Sequence, residues 1–421
     1  MLLNREAARA VADAIAEQLS SPSEVRAMRL RDRWWPQSLA VGAVGVALLH
    51  IERAYAGLGS WQRVHDWLCA AISGGVSASD DAHLYYGAPA VGFALHAASG
   101  EHRRYAHVLE ILDGHIAAET RRRLASAHAR MDAGALPALA EFDAIRGLTG
   151  LGGYLRQRDA TGQLLSEVLN YLVRLTEPIN VHDESLPGWW TTLAPSGRLS
   201  DEFVGGHANT GMAHGIAGPL ALLALTMRDG LAVDGQSEAI NRICAWLDRW
   251  RTDYGSSSWW PYWITRTQLR RADPIPTKPS RPSWCYGTAG VARAQQLAAL
   301  AIGDRARQEM SERAVVGALT HPLQRAAISD ASLCHGYAGL AQIVARSAAD
   351  ASIPMRGYQP SLLQELIHDE ADAGRLAAAL LQPPGGCFGL LEGAAGVALA
   401  LHTAASGSPP VSGWDSCLLI V

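Results

Sequence analysis

The sequence predicts an all-α chain in which seven inner and seven outer helices close into an α/α toroid, with a few loop or short β excursions. Three observations predict it. A small-residue signature, G-x-x-G followed by an apolar stretch, returns from one end of the chain to the other. Between its copies lie charged segments whose apolar residues fall at helical spacing. The composition, 48% apolar and 18% charged, supplies ample core for a soluble globular protein.

Taken in order, the chain begins with MLLNREAARAVADAIAEQLS, an Ala-rich amphipathic pattern that predicts a helix. Arg5, Glu6, Asp13 and Glu17 interrupt it, whereas a signal peptide needs an unbroken apolar region after basic residues. The signatures then fall at Gly42 to Gly45, Gly147 to Gly150, Gly215 to Gly218, Gly287 to Gly290, Gly336 to Gly339 and Gly393 to Gly396. A looser copy, YYGAPAVGFAL from Tyr85 to Leu95, has its glycines five apart and brings the count to seven. Each signature opens a stretch rich in Ala, Gly, Val and Leu. Such a helix is apolar all round and so is buried, and its glycines let neighbouring backbones approach. Segments such as RYAHVLEILDGHIAAETRRRL and AINRICAWLDRW carry charge on one face and predict the outer helices. An open helical solenoid is the alternative to closure.

Two stretches depart from this rhythm: LPGWWTTLAPSGRLSDE around residues 186 to 202, and SSSWWPYWITRTQLRRADP around residues 257 to 274. Trp259, Trp260, Tyr262 and Trp263 are numerous for a loop. Two readings stand for them, a wall for a bound peptide or packing against outer helices. The length of 421 residues allows two or three domains, but the repeats occupy nearly all of it, so one repetitive domain over 1–421 is expected.

A net charge of −4 and a pI near 6.4 give no nucleic-acid footprint. The longest apolar run, Ile216 to Met227, is short of the ~20 residues a membrane span requires. The expectation is a cytoplasmic protein that is not integral to a membrane. Six cysteines are too sparse in this length for a disulfide framework. Kept reduced, they are available as ligands.

If the repeats close, residues at one phase of the signature converge. One position before the first glycine stand Val41, Arg146, His214, Tyr286, His335 and Glu392, and two before it stand Cys285 and Cys334. The middle repeats thus exchange apolar residues for polar and metal-binding ones. S-x-C-x-G-x-A-G-x-A is written twice, as SWCYGTAGVA and SLCHGYAGLA. Cys285, Cys334 and His335 offer two thiolates and an imidazole, a set with an open fourth position that suits catalytic zinc better than structural zinc. With that set the site is formally neutral, so a third, incoming thiol binds as an electron-rich thiolate, which suits sulfur alkylation or addition. Cys69, Cys244, Cys387 and Cys417 read as ordinary buried or incidental cysteines.

With these motifs in place, the chain resembles the lanthionine synthetase C-like (LanC) family, the cyclases of class I lanthipeptide biosynthesis. The resemblance is carried by Arg281 with Trp284-Cys285-Tyr286-Gly287, by Cys334-His335-Gly336, by Ala213-His214-Gly215 and by Asp143 in FDAIRGLTG. It implies an α/α toroid with one zinc held by Cys285, Cys334 and His335. It also implies addition of a peptide cysteine thiol to dehydroalanine or dehydrobutyrine, forming lanthionine or methyllanthionine rings. His214 would be the acid/base group, Asp143 its orienting partner, and Arg281 and Tyr286 would assist the enolate or the peptide. A helix N-cap and a surface loop arginine are the plain alternatives for Asp143 and Arg281. The partners implied are a dehydrated precursor peptide, a separate dehydratase and an exporter, in a complex peripheral to the membrane. Two other functions compete: action on glutathione or another small thiol, and a non-catalytic peptide-binding scaffold.

Overall fold

The computed structural model describes residues 2–27, 35–100, 102–181, 184–255, 257–271, 278–367, 372–382 and 387–421. Each of the seven signatures opens a helix: Ala43–Tyr55, Ala88–Ser99, Leu148–Arg158, Ala217–Arg228, Thr288–Ile302, Tyr337–Asp350 and Ala394–Ser406. Burial along them is nearly continuous, as in Ala43 to Arg53 and Ala394 to Ala404. The intervening helices bury one stripe. Trp61–Ile72 buries Val64, Trp67, Leu68 and Ala71, and Gln236–Trp250 buries Ala239, Ile240, Ile243, Cys244, Leu247 and Trp250. These are the i, i+3, i+4, i+7 positions of an amphipathic helix. Leu2–Gln18, Ala106–Asp132, Gln163–Leu175 and Arg305–Thr320 are further such segments, and Gln359–Ile367 with Ala373–Leu381 precede the last signature.

The chain divides into two compact units, each assembled from separated segments. The first comprises Met1–Ile116, Ser329–Ala345 and Arg356–Ser416. In it Ala43–Tyr55 packs on Trp61–Ile72, Ala88–Ser99 and Ala394–Ser406, and Leu2–Gln18 covers Ala394–Ser406 and Ala373–Leu381. The second comprises Ala117–Ile328, Arg346–Met355 and Cys417–Val421. There Ala217–Arg228 lies against Leu148–Arg158 and Thr288–Ile302, and Thr288–Ile302 packs on Arg305–Thr320. The β excursions belong to this unit: Ile179–Val181 pairs with Glu184–Leu186, Thr252–Tyr254 with Ser257–Trp259, and His207–Asn209 with Trp263–Thr265, all antiparallel.

The second glycine of the signature makes the tightest contact. A Cβ on Gly45, Gly218, Gly290, Gly339 or Gly396 would run into the carbonyl oxygen six residues earlier, of Leu39, Met212, Trp284, Leu333 and Leu390 respectively. The same glycine donates its N–H one residue further back. Gly150, Gly290, Gly339 and Gly396 reach the carbonyls of Asp143, Ser283, Ser332 and Gly389 at 3.1 to 3.3 Å. These four pre-helix loops are therefore folded over the first turn of their own helices in the same way.

Those loops are also tied to one another. In the first unit Leu39 N donates to Tyr85 O, Leu390 N to Leu39 O, Leu391 N to Ala40 O and Cys334 N to Leu391 O. In the second, Ala144 N donates to Ala213 O and Ala213 N to Cys285 O. Every partner sits two or three residues before the first glycine of its signature. Buried backbone groups in a loop need such partners, and here neighbouring repeats supply them. Gly290→Ala should therefore lower stability by about 1–3 kcal/mol, because backbone, not a pliable side chain, occupies the space. Gly114→Ala, at an exposed helical position with nothing within 4 Å of the new Cβ, should raise stability by about 0.5–1 kcal/mol. Thermal or denaturant midpoints of the two variants check the opposite signs.

Candidate functional site

Before six of the seven inner helices the loop starts four residues ahead of the first glycine, at Ser38, Asp143, Gly211, Ser283, Ser332 and Gly389. Where this residue is serine, its hydroxyl accepts the N–H three residues on: Ser38 from Val41 at 3.2 Å, Ser283 from Tyr286 at 3.3 Å, and Ser332 from His335 at 3.2 Å. The doubled S-x-C thus has a local reason. The serine fixes the turn on which the cysteine, at the next position but one, is displayed.

Asp143 is the carboxylate version of the same cap. Its Oδ1 accepts from the N–H groups of Ile145, Arg146 and Gly147 at 3.1, 2.6 and 2.9 Å. Its Oδ2 lies 2.7 Å from Nδ1 of His214. Asp143 is not the helix N-cap that the sequence offered as the alternative, since Gly147 holds that position before Leu148–Arg158; one buried carboxylate instead ties the loop with one oxygen and meets the histidine with the other. Burial alone would lower the pKa of His214, but the hydrogen bond and charge of Asp143 outweigh it, so the value stands above the usual 6.5. Its side chain remains 35% exposed and open to a reactant.

Tyr286 follows Cys285 directly. Its hydroxyl accepts a hydrogen bond from Asn209 at 3.2 Å, and its ring lies 6.0 Å from that of His214. Tyr262 and Trp263 face the same ring at 5.5 and 6.3 Å. The short strand pair sets this up, since Asn209 is registered opposite Trp263 and Thr210 N bonds Tyr262 O. The aromatic run therefore splits. Trp259 and Trp260 are buried, with Nε1 of Trp260 on the carbonyl of Leu247 in an outer helix, whereas half-buried Tyr262 and Trp263 stand beside Tyr286. Arg281 is partly buried, and its Nε makes no hydrogen bond among the described residues. Residues 272–277 of the Pro-rich run before it lie outside the described residues.

Cys285 is buried, its sulfur 3.7 Å from the Ser283 hydroxyl. Nε2 of His335 lies 3.1 Å from Oδ2 of Asp330. Burial raises the pKa of Asp330, but hydrogen bonds from His335 and Ser332 bring it down to about 2. One ligand atom each from Cys285, Cys334 and His335 falls within 4.8 Å of the others, a grouping able to hold a metal ion. Two sulfurs and a ring nitrogen at this spacing fit a zinc-type donor set. His207 is fully buried in a strand, and desolvation lowers its pKa to about 4. Sequence reasoning missed Asp330, Asn209 and the capping serines. The shared S-x-C phase was the available signal for the last of these.

Asp143→Asn would keep the Oδ1 cap and remove the charge beside His214. The titration midpoint of His214, followed by the NMR shift of its ring Cε1, should move to lower pH. The stability linked to its raised value is complete below the unfolded-state value of about 6.5 and is lost as pH rises through the folded value. The variant should therefore lose more stability at pH 5 to 6 than at pH 9. An equal loss at both would contradict the ion-pair assignment.

A model of the family described as lanthionine synthetase C-like protein matches residues 33–419. The nisin biosynthesis protein NisC of Lactococcus lactis subsp. lactis is 24% identical over 206 residues, which is 48% of this chain and 48% of that protein. The matched stretch thus spans about half the length of this curated relative. The solved structure of a nisin cyclase superposes with a TM-score of 0.77 at 20% identity, covering 97% of this chain and 96% of the other. That likeness shows the fold, an α/α toroid. With a family match over most of its length, the chain belongs to the lanthionine synthetase C-like family.

Proposed function

We propose that this protein is a zinc-dependent lanthipeptide cyclase, joining cysteine thiols of a dehydrated precursor peptide to its dehydroalanine or dehydrobutyrine residues. The observation that carries the reading is the pairing of His214 with Asp143 in the protein that also groups Cys285, Cys334 and His335. A zinc ion held by those three residues would supply thiol activation, lowering the pKa of an incoming thiol while leaving a competent nucleophile.

The remaining steps fall to side chains. As the S–Cβ bond forms, the alkene π electrons pass to the neighbouring carbonyl, giving an enolate. His214, whose pKa the hydrogen bond and charge of Asp143 raise, donates its proton to Cα. It regains a proton from the next thiol, so the cycle balances. Arg281 and Tyr286, the latter bonded by Asn209, would hydrogen-bond the enolate oxygen or the peptide. Tyr262 and Trp263 offer rigid contact area to a peptide chain. This favours a peptide over a small thiol such as glutathione. The peptide's dehydration is assigned to a separate dehydratase, with export by a further partner.

Cyclisation is followed by mass spectrometry after alkylation of free thiols in a dehydrated precursor. The parent should consume thiols without a change in peptide mass. His214→Asn should slow this about 10²- to 10⁴-fold with helical content unchanged. Cyclisation by His214→Asn at the parent rate would refute the acid/base role. Consumption of glutathione but never of peptide thiols would favour the small-thiol reading.

A further inference from the structure

The cyclase reading uses His335 as a ligand but leaves unexplained what sets the orientation and tautomer of its ring. An imidazole presents one lone pair, and a metal takes whichever nitrogen lacks the proton. The sequence places a carboxylate five residues before His335, and the loop geometry brings it back. Oδ2 of Asp330 meets Nε2 of His335 at 3.1 Å, while Oδ1 accepts from Ser332 N at 2.8 Å. The backbone carbonyl of Asp330 accepts from Tyr337 N at 3.1 Å. Gly336 allows this turn, since a Cβ there would run into both the carbonyl and Oδ1 of Asp330. The aspartate is thus fixed at three points, with one oxygen committed to the loop and the other to the ring.

We propose that Asp330 is a positioning residue for the metal centre: its carboxylate holds the proton of His335 on Nε2 and makes Nδ1 the nitrogen offered to the metal. This inference rests on the zinc reading above and deepens it. The device is the one used by Asp143, which divides its oxygens between loop N–H groups and a histidine nitrogen. The two acids act on opposite ring nitrogens. Asp143 engages Nδ1 of His214, leaving Nε2 toward reactants, and Asp330 engages Nε2 of His335, leaving Nδ1 toward the metal. A negative partner on the distal N–H also makes the ligating nitrogen more basic.

Asp330→Asn separates this role from a structural one. The amide oxygen can keep the bond from Ser332 N, which turns the NH₂ toward Nε2 of His335. A donor there stabilises the opposite tautomer, with the proton on Nδ1, and so opposes metal binding. Zinc affinity is measured on the full chain by competition with a chromophoric chelator, and the thermal midpoint of the metal-free protein is recorded beside it. Asp330→Asn should weaken zinc about 10-fold or more, with the metal-free midpoint moved by no more than about 2 °C. Asp330→Ala, which also loses the loop bond, should weaken zinc and lower the metal-free midpoint. Zinc affinity of Asp330→Asn within about twofold of the parent would overturn the assignment. So would a fall in its metal-free midpoint as large as that of Asp330→Ala. A parent that takes up no zinc would remove the metal reading itself.

Discussion

The contact on which the rest depends is the approach of a glycine, at the first turn of five inner helices, to the carbonyl six residues before it. It leaves no room for a Cβ at Gly45, Gly218, Gly290, Gly339 or Gly396. Because the contact is made by backbone, it forces the same loop path whatever side chains the loop carries. Positions four, two and one before the first glycine then keep the same geometric meaning from repeat to repeat. The hydrogen bonds between loops, such as Cys334 N to Leu391 O and Ala213 N to Cys285 O, fall at that shared phase. The backbone is settled by the scaffold, so the side chains at these positions can differ without refolding the loop.

Function enters through those exchanges. The capping position is serine at Ser38, Ser283 and Ser332 and becomes aspartate at Asp143. A serine hydroxyl satisfies the turn, whereas a carboxylate has a second oxygen left for a histidine. The next-but-one position becomes Cys285 and Cys334, and the one after it His214, Tyr286 or His335. Asp330 stands just outside this frame yet follows the same chemistry. In each acid–histidine pair a carboxylate is anchored by backbone N–H groups before it meets the ring, which limits the motion of both partners.

Much of this was legible in the sequence because it was written as repetition. Seven glycine signatures and the alternating charged segments sufficed for the helices, phase singled out Cys285 and Cys334 with the adjacent His335, and the family resemblance added His214. The rest depended on how loops return in space. Asp143 ties its own loop and meets His214 at once, which a choice between helix N-cap and histidine partner does not anticipate. Asp330 lies at no repeated phase, and its bond to His335 arises from a turn permitted by Gly336. The aromatic run from Trp259 to Trp263 reads as one cluster, yet burial sends Trp260 to an outer helix and Tyr262 to Tyr286. Only the strand pairing of His207–Asn209 with Trp263–Thr265, non-local in sequence, separates them.

The central claim is that two scaffold loops carry ligands for one metal. Zinc content by elemental analysis, on freshly purified parent, Cys285→Ala and Cys334→Ala proteins, tests it most directly. The account predicts about one zinc per chain in the parent. Both variants should lack it while keeping their helical circular dichroism, since burial of the helices holds the fold. A parent without zinc after metal is supplied, or variants that each retain it, would contradict the account.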